Sequence, residues 1–107
     1  MNNMPVLLLT TTGCRTGNQH TIPVVFMKDG SNHIIAPGVI ETPDWYLNLK
    51  ANPHAGIQAG KVITRVMAVE ATGEEHQRLW AMAPLYWKDY QKNAKRDLPI
   101  IMLQALK

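Results

Sequence analysis

The chain has a single cysteine, Cys14, so no disulfide can form within one copy and the fold must hold by packing alone. Charge is sparse, at 18% of residues with a net value of only +3. That leaves no broad basic field of the kind nucleic-acid binding requires, and no nucleic-acid partner is expected. Long hydrophobic runs are also missing. The opening stretch MNNMPVLLLTTTG has no basic leader, and its apolar part, Pro5 to Leu9, is far too short for a signal core or a membrane span. With a lone thiol, this reads as a cytoplasmic protein without an integral membrane segment. His20, His33, His54 and His76 lack the His/Cys or i, i+4 spacings that metal sites favour, and no metal is expected. Neither a Gly-Lys-Ser/Thr phosphate loop nor a GxGxxG dinucleotide fingerprint occurs.

What is present is apolar and turn-rich. Hydrophobic residues make up 46% of 107 positions, enough for one packed domain spanning residues 1–107 with no room for a second. The most distinctive stretch is Leu7 to Phe26, LLLTTTGCRTGNQHTIPVVF, where two short apolar runs flank a threonine and glycine loop. This reads as strand, loop, strand, with the strands at Pro5 to Leu9 and Ile22 to Met27. Gly13 and Gly17 allow positive φ and close backbone approach, Thr10, Thr11, Thr12 and Thr16 add hydroxyls, and Arg15 supplies a permanent charge in a planar fork suited to phosphate or carboxylate. His20 and Thr21 add donors from the far side. Residue chemistry alone leaves two readings open, an anion cradle or a plain glycine turn with an exposed arginine. Cys14 reads as an incidental small residue.

Further along, Lys28 to Ser31 is a turn signal and His33 to Ala36 continues as a strand. Thr42-Pro43-Asp44 starts a helix, with Thr42 as cap, that runs to about Ala51, where Asn52-Pro53 stops it. Ala55 to Gln58 and Lys61 to Ala71 form a second hairpin with both faces largely apolar, which suits a barrel interior on one side and a helix or a second copy, in a homodimer, on the other. Thr72-Gly73-Glu74-Glu75 reads as a capping box opening a helix that carries Leu79, Trp80 and Met82. Pro84 restarts or kinks it. In LYWKDYQKNAKR, residues 85–96, aromatics and lysines interleave at helical spacing, as in a core stripe with a solvated basic face. Leu98 to Leu106 closes the sheet as a last strand. The expected fold is mainly β (α+β), an antiparallel barrel of about six strands with two or three short helices.

TTTGCRTG at residues 10–17, then Pro23, Asp29-Gly30, PDWYLNLKANP at 43–53 and DYQKNAKRDLPII at 89–101 resemble, in order and spacing, the deazaflavin (F420)-dependent nitroreductase family of the split β-barrel flavin-binding superfamily. The resemblance implies a split β-barrel that binds coenzyme F420, a deazaflavin with a phosphate and an oligoglutamate tail; FMN is the alternative in the wider superfamily. It implies an oxidoreductase moving hydride between F420 and a small activated acceptor, whether enone, quinone-like or nitro compound. By resemblance the coenzyme contacts are Thr12, Gly13, Cys14, Arg15, Thr16, Gly17, His20, Thr21, Pro23, Asp44 and Trp45, and the acceptor contacts are Tyr86, Trp87 and Tyr90. No catalytic side chain is assigned, since such a cofactor carries the hard chemistry and the proton comes from solvent or from Tyr86 or Tyr90. Two departures from the family pattern stand out. The chain starts almost at its first strand, without the usual N-terminal helical extension, and the loop after Ala36, APGVIETP, is short and lacks a basic or hydroxyl donor beside Pro37, which removes a phosphate contact. A non-catalytic barrel holding a flavin-like or lipidic ligand, and an FMN-dependent oxidoreductase, are the competing functions.

Overall fold

The computed structural model describes residues 5–36, 43–83, 87 and 98–106. Among them are seven strands and two helices: β1 Val6–Thr12, β2 Gln19–Val25, β3 Met27–Asp29, β4 Asn32–Ile35, α1 Asp44–Ala51, β5 His54–Ala59, β6 Val62–Glu70, α2 Gly73–Met82 and β7 Ile101–Ala105. One sheet holds every strand in the order β2-β1-β5-β6-β7-β4-β3, and every pairing is antiparallel.

The two edge strands, β2 and β3, are consecutive in the chain, with only Phe26 between them. A flat sheet cannot place its opposite edges one residue apart, so the sheet must curl until its ends meet, which is what makes it a split barrel. The Phe26 amide donates to the Pro5 carbonyl at 3.1 Å and pins this corner to the start of β1. The sequence expectation of a single strand from Ile22 to Met27 misses this corner, which accounts for seven strands where about six were expected. Pro23 sits opposite Leu8 on β2, an edge position where its missing N–H is tolerated.

Strand alternation then sorts the side chains. On β1, Leu7, Leu9 and Thr11 are buried while Val6 and Leu8 are exposed. Inside the curl, Leu7, Leu9, Ile57, Val66 and Leu103 pack against Trp45, Tyr46 and Leu49 of α1, which plugs the barrel. A second cluster lies on the outer face, where α2 covers Ile34 and Met102 with Leu79 and Ala83, joined by Trp87 and Ile100. Arg78 of α2 clamps this layer from outside, reaching the Asp29 carboxylate at 2.7 Å and that of Glu75 at 2.6 Å.

Both helix starts differ from the sequence expectation. Pro43 occupies the cap position of α1 and offers no side-chain bond, while Thr42 lies outside the described residues. Thr72 caps α2 without a side-chain bond, and Glu75 turns to Arg78 instead of reaching back, so neither half of the capping box forms. The helical segment expected over residues 85–96 lies outside the described residues except for Trp87. No helix among the described residues is long and apolar enough to cross a membrane.

Candidate functional site

At one mouth of the barrel the β1–β2 loop faces the first turn of α1, and a cavity of about 560 Å³ lies between them. Its loop wall is Gly13, Cys14, Arg15, Thr16 and, from β2, His20 and Ile22; its helix wall is Pro43, Asp44, Trp45, Leu47 and Asn48; Thr11 lies at its floor on β1. The helix presents these residues together because positions three and four apart share a face, which aligns Asp44, Leu47 and Asn48. Pro43 fixes φ at the helix entry, and Asp44 complements the positive end of the helix in its first turn.

The loop is a self-bonded turn. Gly13 N–H donates to the Asn18 carbonyl at 2.7 Å, Gly17 N–H to the Gly13 carbonyl at 2.9 Å, Asn18 N–H to the Thr16 hydroxyl at 3.2 Å, and Cys14 N–H to Asn48 Oδ1 at 3.0 Å. Of the amides from Gly13 to Asn18, only those of Arg15 and Thr16 therefore have no acceptor among the described residues. An expectation that successive N–H groups all turn toward a ligand is narrowed to these two, plus the Arg15 guanidinium and the Thr16 hydroxyl. Gly17 has φ of +77°, which explains a glycine there. At Gly13 the reason is space: a Cβ would meet His20 Nε2 at 3.0 Å and both the Asn18 carbonyl and Thr16 Oγ1 at 3.1 Å.

Of the residues assigned to coenzyme binding by resemblance, Gly13, Cys14, Arg15, Thr16, His20, Asp44 and Trp45 all line this one cavity, although Gly13 and Trp45 are far apart in the chain. Thr12, Gly17, Thr21 and Pro23 do not line it. Alternation gives the reason: Thr11 pairs with His20 and Leu9 with Ile22 on the inward face, so Thr21 and Pro23 point outward, where Thr21 shares a 2.7 Å hydroxyl hydrogen bond with Thr10. Sequence reading counted Thr11 only among the hydroxyls of the loop and did not assign Ile22, Pro43, Leu47 or Asn48 to the site. The period of two along β1 and β2 and the helical period from Asp44 would have indicated most of them.

Trp87 is 3% exposed and stacks on Trp80, with ring centroids 6.5 Å apart, inside the outer-face core; it is not among the cavity lining. Tyr86 and Tyr90 lie outside the described residues. Away from the cavity, Tyr46 donates to Glu70 at 2.8 Å, and burial with this carboxylate neighbour pushes its phenol above the usual tyrosine range. Among the described residues no group of three His, Cys, Asp or Glu side chains is placed to hold a metal.

The cavity fits an anionic, planar group on its own chemistry. One wall offers the permanent Arg15 cation and two amides without an acceptor among the described residues, and the other adds the Trp45 indole beside the Asp44 carboxylate.

Comparison with known proteins gives the same direction. The model of the F420H(2)-dependent quinone reductase family matches residues 1–105. A Mycobacterium tuberculosis protein named among the F420H(2)-dependent quinone reductases is 34% identical over 94% of this chain and 90% of its own length. A second one from the same species is 32% identical, over 92% of this chain and 72% of its own. Among solved structures, an F420-H2 dependent reductase superposes with a TM-score of 0.84 at 28% identity, covering 94% of both chains. One described as a domain-swapped dimer superposes at 0.85 with 26% identity, covering 97% of this chain and 82% of that one.

Proposed function

Because the chain belongs to the F420H(2)-dependent quinone reductase family and is an F420-dependent oxidoreductase, we propose that it reduces quinone-like acceptors, and enones or nitro compounds of similar shape, at the cavity between the Gly13–Gly17 loop and α1. The observation that carries this reading is the convergence of Arg15, Thr16 and His20 with Asp44 and Trp45 on one cavity from two distant parts of the sequence.

When bound, reduced F420 supplies the hydride. The chain supplies position and surroundings. Arg15 holds the coenzyme's phosphate or a tail carboxylate by a charge-assisted pair, with the Arg15 and Thr16 amides and the Thr16 hydroxyl as further donors. Trp45 gives the ring an apolar face that keeps water from one side. Leu47, 45% exposed at the cavity wall, offers apolar surface to an acceptor approaching from the mouth. The proton that completes reduction comes from solvent or from Tyr86 or Tyr90. A second copy would cover the outer face beside β1 and β6, where Val6, Leu8 and Ile63 are 49%, 41% and 75% exposed, and a homodimer is in keeping with the similar structure described as a domain-swapped dimer. The single reduced-state cysteine suits a cytoplasmic setting.

The test is consumption of chemically reduced F420, followed by its absorbance, with a soluble quinone, an enone and a nitroarene offered separately. The reading expects turnover fastest with the quinone. No turnover with any of the three, by protein that binds the coenzyme, would move the chain to the non-catalytic class.

A further inference from the structure

We propose that Asn48 is a positioning residue that sets the shape of the Gly13–Gly17 loop for its anionic ligand; the inference rests on the coenzyme reading above. Asparagine is a poor residue for the interior of a helix, and Asn48 lies within α1 at 5% exposure, where leucine or alanine would serve helix and core better. Its side chain compensates with two directed bonds. Oδ1 accepts from the Cys14 N–H at 3.0 Å, and Nδ2 donates to Thr11 Oγ1 at 3.1 Å. The orientation of the amide is fixed by chemistry, because a backbone N–H can only donate and so must face the oxygen.

These bonds join three pieces of chain: the helix that carries Asp44 and Trp45, the strand beneath the cavity and the loop that carries Arg15. The peptide unit between Gly13 and Cys14 is held at both ends. Its carbonyl accepts from Gly17 N–H at 2.9 Å, while its N–H is spent on Asn48. The next residue is Arg15. Releasing one end lets this peptide rotate, one residue before the arginine whose guanidinium the ligand requires. Among the described residues Thr11, 2% exposed, and Asn48 are the buried polar residues, and both line the cavity. Paired polar groups at such depth specify one arrangement and are costly to leave half-satisfied.

Cys14 is an exposed free thiol in the same loop and serves as a native reporter. The experiment uses the full chain and two readouts: alkylation of Cys14 by iodoacetamide without coenzyme, and the F420 dissociation constant from fluorescence quenching. Asn48→Leu keeps the volume and removes both bonds; Asn48→Asp keeps an oxygen toward the Cys14 N–H. The inference expects Asn48→Leu, folded by circular dichroism, to change the alkylation rate at least severalfold and to weaken coenzyme binding by about tenfold or more. Asn48→Asp should alkylate close to the wild-type rate. If Asn48→Leu does not fold, Asn48→Ala takes its place with the same expectations. Unchanged alkylation in the folded variant, or an Asp variant as disturbed as the Leu variant, overturns the proposal whatever the coenzyme does. Altered alkylation with unchanged F420 affinity overturns it too. Wild-type protein that fails to bind F420 defeats the coenzyme reading instead, and the proposal's claim on ligand binding with it, while the alkylation arm still decides whether Asn48 shapes the loop.

Discussion

The two ends of this small barrel are built from different materials. Under α2, on the outer face, the layer is apolar: Ile34, Leu79, Ile100, Met102 and Trp87 close on one another, and the ionic clamp of Arg78 sits outside in water. At the cavity mouth, the buried pair Thr11 and Asn48 replaces apolar contact with hydrogen bonds, and the loop spends most of its amides on itself. The contrast shows how about a hundred residues carry both a stable core and a ligand site. One region gains stability from area, which is insensitive to detail. The other gives up some of that gain to fix the orientation of a few donors.

The division predicts that substitutions separate cleanly by region. The largest effect should come from Trp87→Ala, which removes a nearly fully buried ring from the α2 layer and should cost about 3–5 kcal/mol of folding stability in urea titration. F420 affinity of the folded fraction should stay within a small factor of wild type. Were Trp87→Ala instead to leave stability intact and change acceptor preference, Trp87 would belong to the acceptor site suggested by resemblance and the boundary between the regions would be drawn wrongly. Arg15→Ala should do the reverse, weakening F420 binding by about 1.5–3 kcal/mol with an unmoved melting temperature. Gly13→Ala is a finer probe. Its Cβ contacts at 3.0 and 3.1 Å force His20, Thr16 or the Asn18 carbonyl to give way, so binding should weaken by about 1 kcal/mol, less than for Arg15→Ala, alongside a stability cost of about the same size.

The smallest effect concerns the clamp. Hydrogen bonds from Arg78 hold the Asp29 and Glu75 carboxyls below their ordinary range. A carboxylate with a depressed folded value contributes its stability above the ordinary carboxylate range and loses it as pH falls through the folded value. The difference in melting temperature between wild type and Arg78→Ala should therefore be small at neutral pH and shrink toward zero in acid. A difference that grows in acid would remove the clamp from the account, and coenzyme affinity should not respond at all.

Much of this division was legible in the sequence, but unevenly. Apolar runs and turn signals indicated a mainly β barrel, and Asn52-Pro53 ended α1 where expected. The corner at Phe26 was not legible, because a strand that changes sheet edge has the same local pattern as one that continues. At the site, Arg15 and the glycines stood out by residue type. Thr12, Thr21 and Pro23 were assigned by resemblance, and alternation turns them away from this cavity. Asn48 gave no sign of its importance: its value lies in Thr11 and Cys14, 37 and 34 positions away, and such pairings exist only once the barrel has closed.

The central claim is that the Gly13–Gly17 loop and α1 together form an anion-anchored deazaflavin site. It is tested most directly by titrating wild type and Arg15→Ala with F420 and with FMN, following quenching of cofactor fluorescence. The account predicts saturable F420 binding by wild type, stronger than that of FMN, and a marked weakening in a folded Arg15→Ala variant. Equal F420 affinity in the two proteins, or binding of FMN alone, would contradict it.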